Sequence, residues 1–314
     1  SLAGREEAGR LLEDCAWRGG NPICHMALGY RRWFGLAGFE PSCPLAAVHY
    51  RLAAEMTIAL SNADGSEYRL HDVRLSQPLE VAKEERREAE LEMKREQAAR
   101  GDVLAAVPVA VEEQISERDD VKAARLYMEA AAKGDTFALN NLGSLLLNGG
   151  GGLAKNETAA LDCFRKSAEW VNPWGMYNLA LCLIYGWGTA PNHTAAFEWL
   201  HKAAAWNNPA AHRMLGIRYR DGQGLPRDPS KAYHHFNEAA AYGDVDALVH
   251  IGTMLLEGDF MEPNCRVATR ALKMAAERGP WAQLLKEGYD AHQARDPVGI
   301  APGRPTWRGT SSRG

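Results

Sequence analysis

PAAHRMLGIRYRDGQGLPRDPSKAYHHFNEAAAYG, residues 209–243, reads as two helices joined by a glycine-broken reversal. Ala211, Met214, Leu215, Ile217 and Tyr219, then Ala232, Phe236, Ala239 and Ala240, fall at the three- and four-residue spacing of one-sided helices. Gly222 and Gly224 stand between the two runs. Glycine takes the left-handed backbone that ends a helix and lets the chain turn back. Asn208 followed by Pro209 marks a start, a capping side chain before a proline at the first helical position.

The pattern recurs every 36 residues: Ala160, Ala196, Ala232 and Ala268 form one series, and Ala168, Ala204, Ala240 and Ala276 another. Gly216 and Gly252 continue a third series that runs back, within one residue, through Ala180 to Gly143. Glycines follow about six residues after each, at Gly149 to Gly152, Gly186 and Gly188, Gly222 and Gly224, and Gly258. Small residues at such positions let helix axes approach to about 8 Å. Gly29, Gly143, Gly216, Gly252, Ala160, Ala196, Ala232 and Ala268 are therefore the expected repeat-defining residues. The implied fold is all-α, a right-handed α/α solenoid (superhelix) of stacked hairpins with a concave face.

From this register the chain divides as follows. Residues 1–54 hold a truncated first unit, its second helix near 6–18, and one full unit from Pro22. Residues 55–101 are an insertion. Its first half, with Tyr68 to Leu70 and Val73 to Leu75, reads as a loop or short hairpin; its second half, residues 80–100, has 13 charged residues of 21 and reads as a solvated helix or as disorder. Glu90 and Lys94 form an i, i+4 pair there. Residues 102–134 are a degenerate unit lacking the glycine loop and carrying Pro108 inside a helix, where proline costs about 3 kcal/mol unless the helix bends. Residues 135–279 are four regular units, 280–296 a C-terminal capping helix, and 297–314 a disordered tail. The chain opens at Ser1 inside a repeat, so it reads as part of a longer polypeptide, and a membrane anchor would lie outside it.

A net charge of −4 and a pI near 6.2 give little field to draw the chain onto nucleic acid. No run approaches the ~20 apolar residues of a membrane helix, so no membrane insertion is expected of this segment. Six cysteines without a C-x-x-C or a Cys/His cluster imply no metal site. A Cys15–Cys24 bridge across the first turn is geometrically open. Cys163 and Cys182 read as buried small hydrophobes. Gly149 to Ala154 matches G-x-G-x-x-A, but with no strand before it, and helix termination explains it. His234 and His235 point about 100° apart on a helix, which suits no shared ligand. Neither catalytic nor cofactor-binding residues are expected. Of Trp170, Trp174, Trp187, Trp199 and Trp206, most are expected in the inter-repeat core, with Trp187 in the glycine loop as the candidate partner-binding anchor. Asn156-Glu157-Thr158 and Asn192-His193-Thr194 are sequons one unit apart at helix starts, where asparagine also serves as an ordinary N-cap; Asn156 and Asn192 are the glycosylation candidates.

Helix, Leu-Gly, aromatic, Gly-x-Gly, then Ala-x-x-aromatic and Ala-Ala resembles the Sel-1-like repeat. His25 to Arg31 with Trp33, Ser42-Cys43 with His49 to Ala53, and Cys265 with Glu277 to Trp281 resemble one family more closely. That family is the luminal Sel-1/Hrd-type adaptor subunit of the endoplasmic-reticulum-associated degradation ubiquitin ligase. The similarity covers about residues 8–296, and the insertion after Ala54 falls where that family interrupts its repeats. The resemblance implies a non-enzymatic protein-binding scaffold in the lumen of the endoplasmic reticulum. Its implied partners are misfolded glycoprotein clients, lectins and a membrane ubiquitin ligase, with a second copy of the chain also admitted. The alternative is a Sel-1-like scaffold of another pathway or compartment. A hydrolytic relative would carry a cysteine pair in every repeat, which this chain does not.

Overall fold

A computed structural model of the chain describes residues 2–35, 39–63, 81–112, 114 and 120–278. The expected short hairpin of the insertion, the capping helix at 280–296 and the tail lie outside the described residues. All regular elements among the described residues are helices: α1 Leu2–Trp17, α2 Pro22–Phe34, α3 Cys43–Ala63, α4 Val81–Ala99, α5 Val103–Glu112, α6 Asp120–Ala132, α7 Thr136–Asn148, α8 Glu157–Glu169, α9 Pro173–Tyr185, α10 His193–Ala205, α11 Pro209–Asp221, α12 Pro229–Ala241, α13 Val245–Glu257 and α14 Cys265–Ala276. They form an α/α solenoid of repeated hairpins. The chain divides into two compact units, Pro78–Ala247 and Ser1–Gln77 with Leu248–Gly314.

In the first of these, the hairpins α7/α8, α9/α10 and α11/α12 each close on one steric fit. A Cβ added to Gly143 would sit 2.7 Å from the Phe164 ring, and one added to Gly216 would sit 2.7 Å from the Phe236 ring. The glycine on the first helix is a socket and the ring on the second helix is a knob. Ala180 and Leu200, both fully buried, occupy the same places in α9/α10. The alanine series Ala160, Ala196 and Ala232 is also fully buried, as its spacing implies. Each completely apolar contact of this kind keeps roughly 25 cal/mol per Å² of surface out of water.

The loop glycines do two separate jobs. Gly222, at φ 69°, caps α11 and donates its backbone N–H to the Arg218 carbonyl. Gly224, at φ 76°, lies against α10 of the preceding hairpin, where a Cβ would come within 2.7 Å of the Phe197 ring. Hairpin closure and hairpin stacking are thus set within three residues.

Helix starts follow the sequence signals. The Asn172, Asn192 and Asn208 side chains accept from the backbone N–H groups of Trp174 and Gly175, of Ala195 and of Ala211. Asn172 also reaches back to Thr136 Oγ1 at 3.3 Å, joining successive starts. Residues 81–99, charged as they are, form a helix, with Lys94 Nζ 2.9 Å from Glu90 Oε1. Pro108 is accommodated inside α5.

In the second unit α2 and α3 form a hairpin on the same plan, with Tyr50 as knob 3.0 Å from where a Gly29 Cβ would stand. α3 does not stop where the repeat pattern fades at Ala54 but continues to Ala63, because Met56, Thr57 and Ile58 keep facing the interior. α14 packs along α3, and Leu272 meets the Gly252 socket of α13. Cys43 and Cys265, at the starts of α3 and α14, form a disulfide across 222 residues of chain. Cys15 and Cys24 form the short bridge that the first turn admits. Lys273 of α14 lies 5.8 Å over the Tyr30 ring of α2.

Gly216→Val should overpack the α11/α12 seam and cost about 2 kcal/mol, read as a lowered urea midpoint; an unshifted midpoint would show that Phe236 can yield. Replacing Cys43 and Cys265 together by serine should remove about 2–4 kcal/mol. Unfolding of α2/α3 with and without reductant measures it, and the double variant should lose the reductant sensitivity that the Cys43–Cys265 bridge confers.

Candidate interaction surface

Cys163 and Cys182 are free thiols; burial pushes both up, Cys182 to about 11, which keeps them protonated and unreactive at neutral pH. His234 is exposed while His235 turns into the α11/α12 seam, so the adjacent pair does not share a ligand. Among the described residues no group of three or more His, Cys, Asp or Glu is placed to hold a metal ion, and no helix is long and apolar enough to cross a membrane.

The sequons and the glycine loop lie at the surface edge of the hairpins. Asn156 and Asn192 are exposed, and each Oδ1 caps its helix by accepting the Ala159 or Ala195 N–H. The capping role is therefore real in both, and it leaves each Nδ2 at an exposed position. Trp187 is only half exposed. It stacks on Tyr185 with centroids 4.9 Å apart and packs against the core of α8 to α11.

Of the five tryptophans two are exposed, and Trp187 is not one of them: Trp170 and Trp206 are 62% and 60% exposed, and Tyr242 is 51% exposed. They sit 36 residues apart, each as the C-cap of the second helix of its hairpin. A residue at the C-cap has already left the buried stripe of its helix, so helical spacing counted from within the helix misplaces it. Trp174, Trp187 and Trp199 are half-buried instead, with Lys202 Nζ 4.1 Å over the Trp199 ring.

Each of these aromatics is followed by a residue in the left-handed region: Val171 at φ 62°, Asn207 at φ 58° and Gly243 at φ 95°. Glycine and asparagine accept that backbone readily, whereas a β-branched valine is strained by it. Val171 is also 47% exposed. The chain therefore keeps an apolar, strained, solvent-facing residue beside Trp170 where a smaller one would fit better. The turn after Tyr242 is held separately: Arg213 Nε lies 2.8 Å from Asp244 Oδ2, its NH1 lies 3.5 Å from Asp246, and Asp244 accepts the Ala247 N–H.

The Sel1 repeat model matches residues 22–57, 113–135, 136–169, 175–205, 209–244 and 245–280, well over half of the chain. The chain belongs to the Sel1 repeat family. Its matched segments fall on α2/α3, on α6 and on the hairpins α7/α8, α9/α10, α11/α12 and α13/α14. A Sel1 repeat protein from Oxalobacter formigenes is similar in structure, with a TM-score of 0.54 and 24% identity over 91% of this chain and 82% of that one. A protective antigen of uropathogenic Escherichia coli displaying an SLR fold shares 19% identity over 94% of this chain and 60% of its own, with a TM-score of 0.48. A sel1 repeat protein of Klebsiella pneumoniae subsp. pneumoniae shares 26% identity over 64% of this chain and 98% of its own, at 0.45. No curated protein matches the sequence. The first of these likenesses shows the fold; the family match makes the chain a Sel1 repeat scaffold.

Val171→Gly should relieve the left-handed valine and raise stability by about 1 kcal/mol. A thermal midpoint that stays put or falls would mean that Val171 carries no backbone strain.

Proposed function

We propose that this Sel1 repeat scaffold is a non-catalytic protein-binding adaptor of endoplasmic-reticulum-associated degradation, helping to bring misfolded glycoproteins to a membrane ubiquitin ligase. The observation that carries the binding half is the row of Trp170, Trp206 and Tyr242, exposed at one place in three consecutive hairpins. Monomeric proteins seldom leave large aromatics exposed at regular intervals, and tryptophan and tyrosine dominate binding hot spots. Repeated hairpins present such contacts at fixed spacing to an extended partner, adding several weak contacts into one usable affinity.

The placement in the secretory lumen rests on three supports. Residues 25–31, 42–53 and 265–281 resemble the luminal adaptor family. The Cys15–Cys24 and Cys43–Cys265 bridges are of a kind that persists in oxidising compartments. Asn156 and Asn192 offer exposed sequons. A Sel1 repeat scaffold in another compartment is the second reading, and the unpaired Cys163 and Cys182 are compatible with it.

Expressed behind a signal sequence in secretory cells, the chain should gain two glycans removable by endoglycosidase and should recover unfolded glycoproteins together with a membrane ubiquitin ligase. Replacing Trp170, Trp206 and Tyr242 by alanine should weaken client recovery by about tenfold or more. Unmodified Asn156 and Asn192 with no ligase recovered would remove the degradation reading. Undiminished client binding by the triple variant would remove the aromatic row as the binding edge.

A further inference from the structure

Two histidine pairs occupy one place in two different hairpins. His25 stands four residues before the socket Gly29 and His49 one before the knob Tyr50; His212 stands four before Gly216 and His235 one before Phe236. In both hairpins the rings meet Nδ1 to Nδ1, at 3.0 Å for His25 and His49 and 3.1 Å for His212 and His235. The other three hairpins with this seam fill the two positions with Leu139 and Cys163, Met176 and Trp199, and Leu248 and Ala271. None of those takes up a proton between pH 8 and pH 4.

A ring nitrogen facing another at this distance makes a hydrogen bond only if one carries a proton and the other a lone pair. His212 fixes which is which. Its Nε2 lies 3.0 Å from the Ala204 carbonyl, so it donates there and, in the neutral ring, leaves Nδ1 bare to accept from the His235 Nδ1–H. His25 bonds the Ala16 carbonyl in the same manner and accepts from His49.

We propose that these pairs are two copies of an acid-sensitive latch, one in each compact unit, holding α2 to α3 and α11 to α12 at neutral pH and releasing them on acidification. The first added proton has one vacant place, the outer nitrogen of His49 or His235. The charges bearing on it there are repulsive: His25 and Arg32 for His49, and His212 with His234, His201 and Lys231 for His235. A second proton must go to Nδ1 of His25 or His212, where it meets the N–H already pointing at it. Glu238 favours a charge on His212, but only at that blocked nitrogen. Around the rings the packing is aromatic: Trp17 lies 5.4 Å from both His25 and His49, and Tyr219 stacks on His235 at 5.6 Å.

Burial agrees with the geometry in sign. It is the first cause in all four, lowering His25 and His212 and bringing His49 and His235 down to about 4. The unfolded chain takes up these protons near pH 6.5, the folded one only at lower pH. The stabilising effect of the pairs is therefore complete above about pH 6.5 and is lost as pH falls from there towards 4.

Hydrogen exchange of the whole chain, corrected for the intrinsic pH dependence of exchange, tests this. Between pH 6.5 and 5.0 the opening equilibria of α2/α3 and α11/α12 should rise by about tenfold per pH unit for each histidine held neutral, while α7/α8 stays nearly level. Two double variants borrow the chain's own apolar seams: His25→Leu with His49→Ala, and His212→Met with His235→Trp. Each should flatten the acid response of its own hairpin. An equal response in all hairpins, or an unchanged one in the variants, overturns the proposal. Should a variant not fold, nitrogen NMR of the native chain decides. One Nε2–H and one Nδ1–H ring per pair, neutral down to pH 5, support the latch; rings titrating near 6.5 overturn it.

Discussion

One steric fit governs the repeat: a residue with little or no side chain on the first helix of a hairpin receives a large side chain from the second. Gly143 with Phe164, Gly216 with Phe236, Gly252 with Leu272 and Gly29 with Tyr50 are the same contact made four times. Because protein interiors are as dense as organic crystals, neither partner can change size alone. The fit also fixes the crossing of the two helices, and with it the direction in which each loop leaves. That direction lays the second loop glycine, such as Gly224, on the preceding hairpin. Stacking between hairpins therefore follows from closure within them, which is how a short repeat can specify an extended fold.

The sequence discloses this plan in the places where chemistry allows only a few residues. Left-handed turns favour glycine, buried crossings favour alanine or glycine, and helix starts favour asparagine or aspartate, so all three print a period that can be read directly. At the C-caps the sequence prints a period but not which way its side chains face. Trp170 and Trp206 look like core when counted along α8 and α10, yet the C-cap swings them out to solvent. Trp187 sits in a loop and looks exposed, yet Tyr185 and the core cover much of it. The row at 170, 206 and 242 was legible as a period, since all three are aromatic; what the period lacked was the knowledge that this register point lies beyond the buried stripe.

Long-range pairing was illegible for a different reason. Cys15 and Cys24 flank a turn, and their bridge is a local matter. Cys43 and Cys265 stand 222 residues apart, and nothing in the repeat register requires α14 to lie along α3. The two histidine pairs were hidden in the same way, since each histidine alone reads as a polar residue on a helix and gains meaning only across the closed seam.

The seam and the aromatic row meet at the carbonyl that fixes each histidine tautomer. His212 donates to Ala204, and the same carbonyl takes the backbone N–H groups of Trp206 and Asn207 that form the turn displaying Trp206. In the other hairpin His25 bonds Ala16, next to the 60% exposed Trp17 whose ring leans on both histidines. Each polar pair thus props a turn that carries an exposed tryptophan. A partner gripping Trp206 holds that turn in place and so favours the neutral pair; a second proton on the pair sets N–H against N–H, opens the seam beneath the turn and so weakens the grip. Reciprocity of coupled equilibria makes these one statement. Leu248 and Ala271 fill the same seam positions with apolar side chains, and those two positions take up no proton between pH 8 and pH 4.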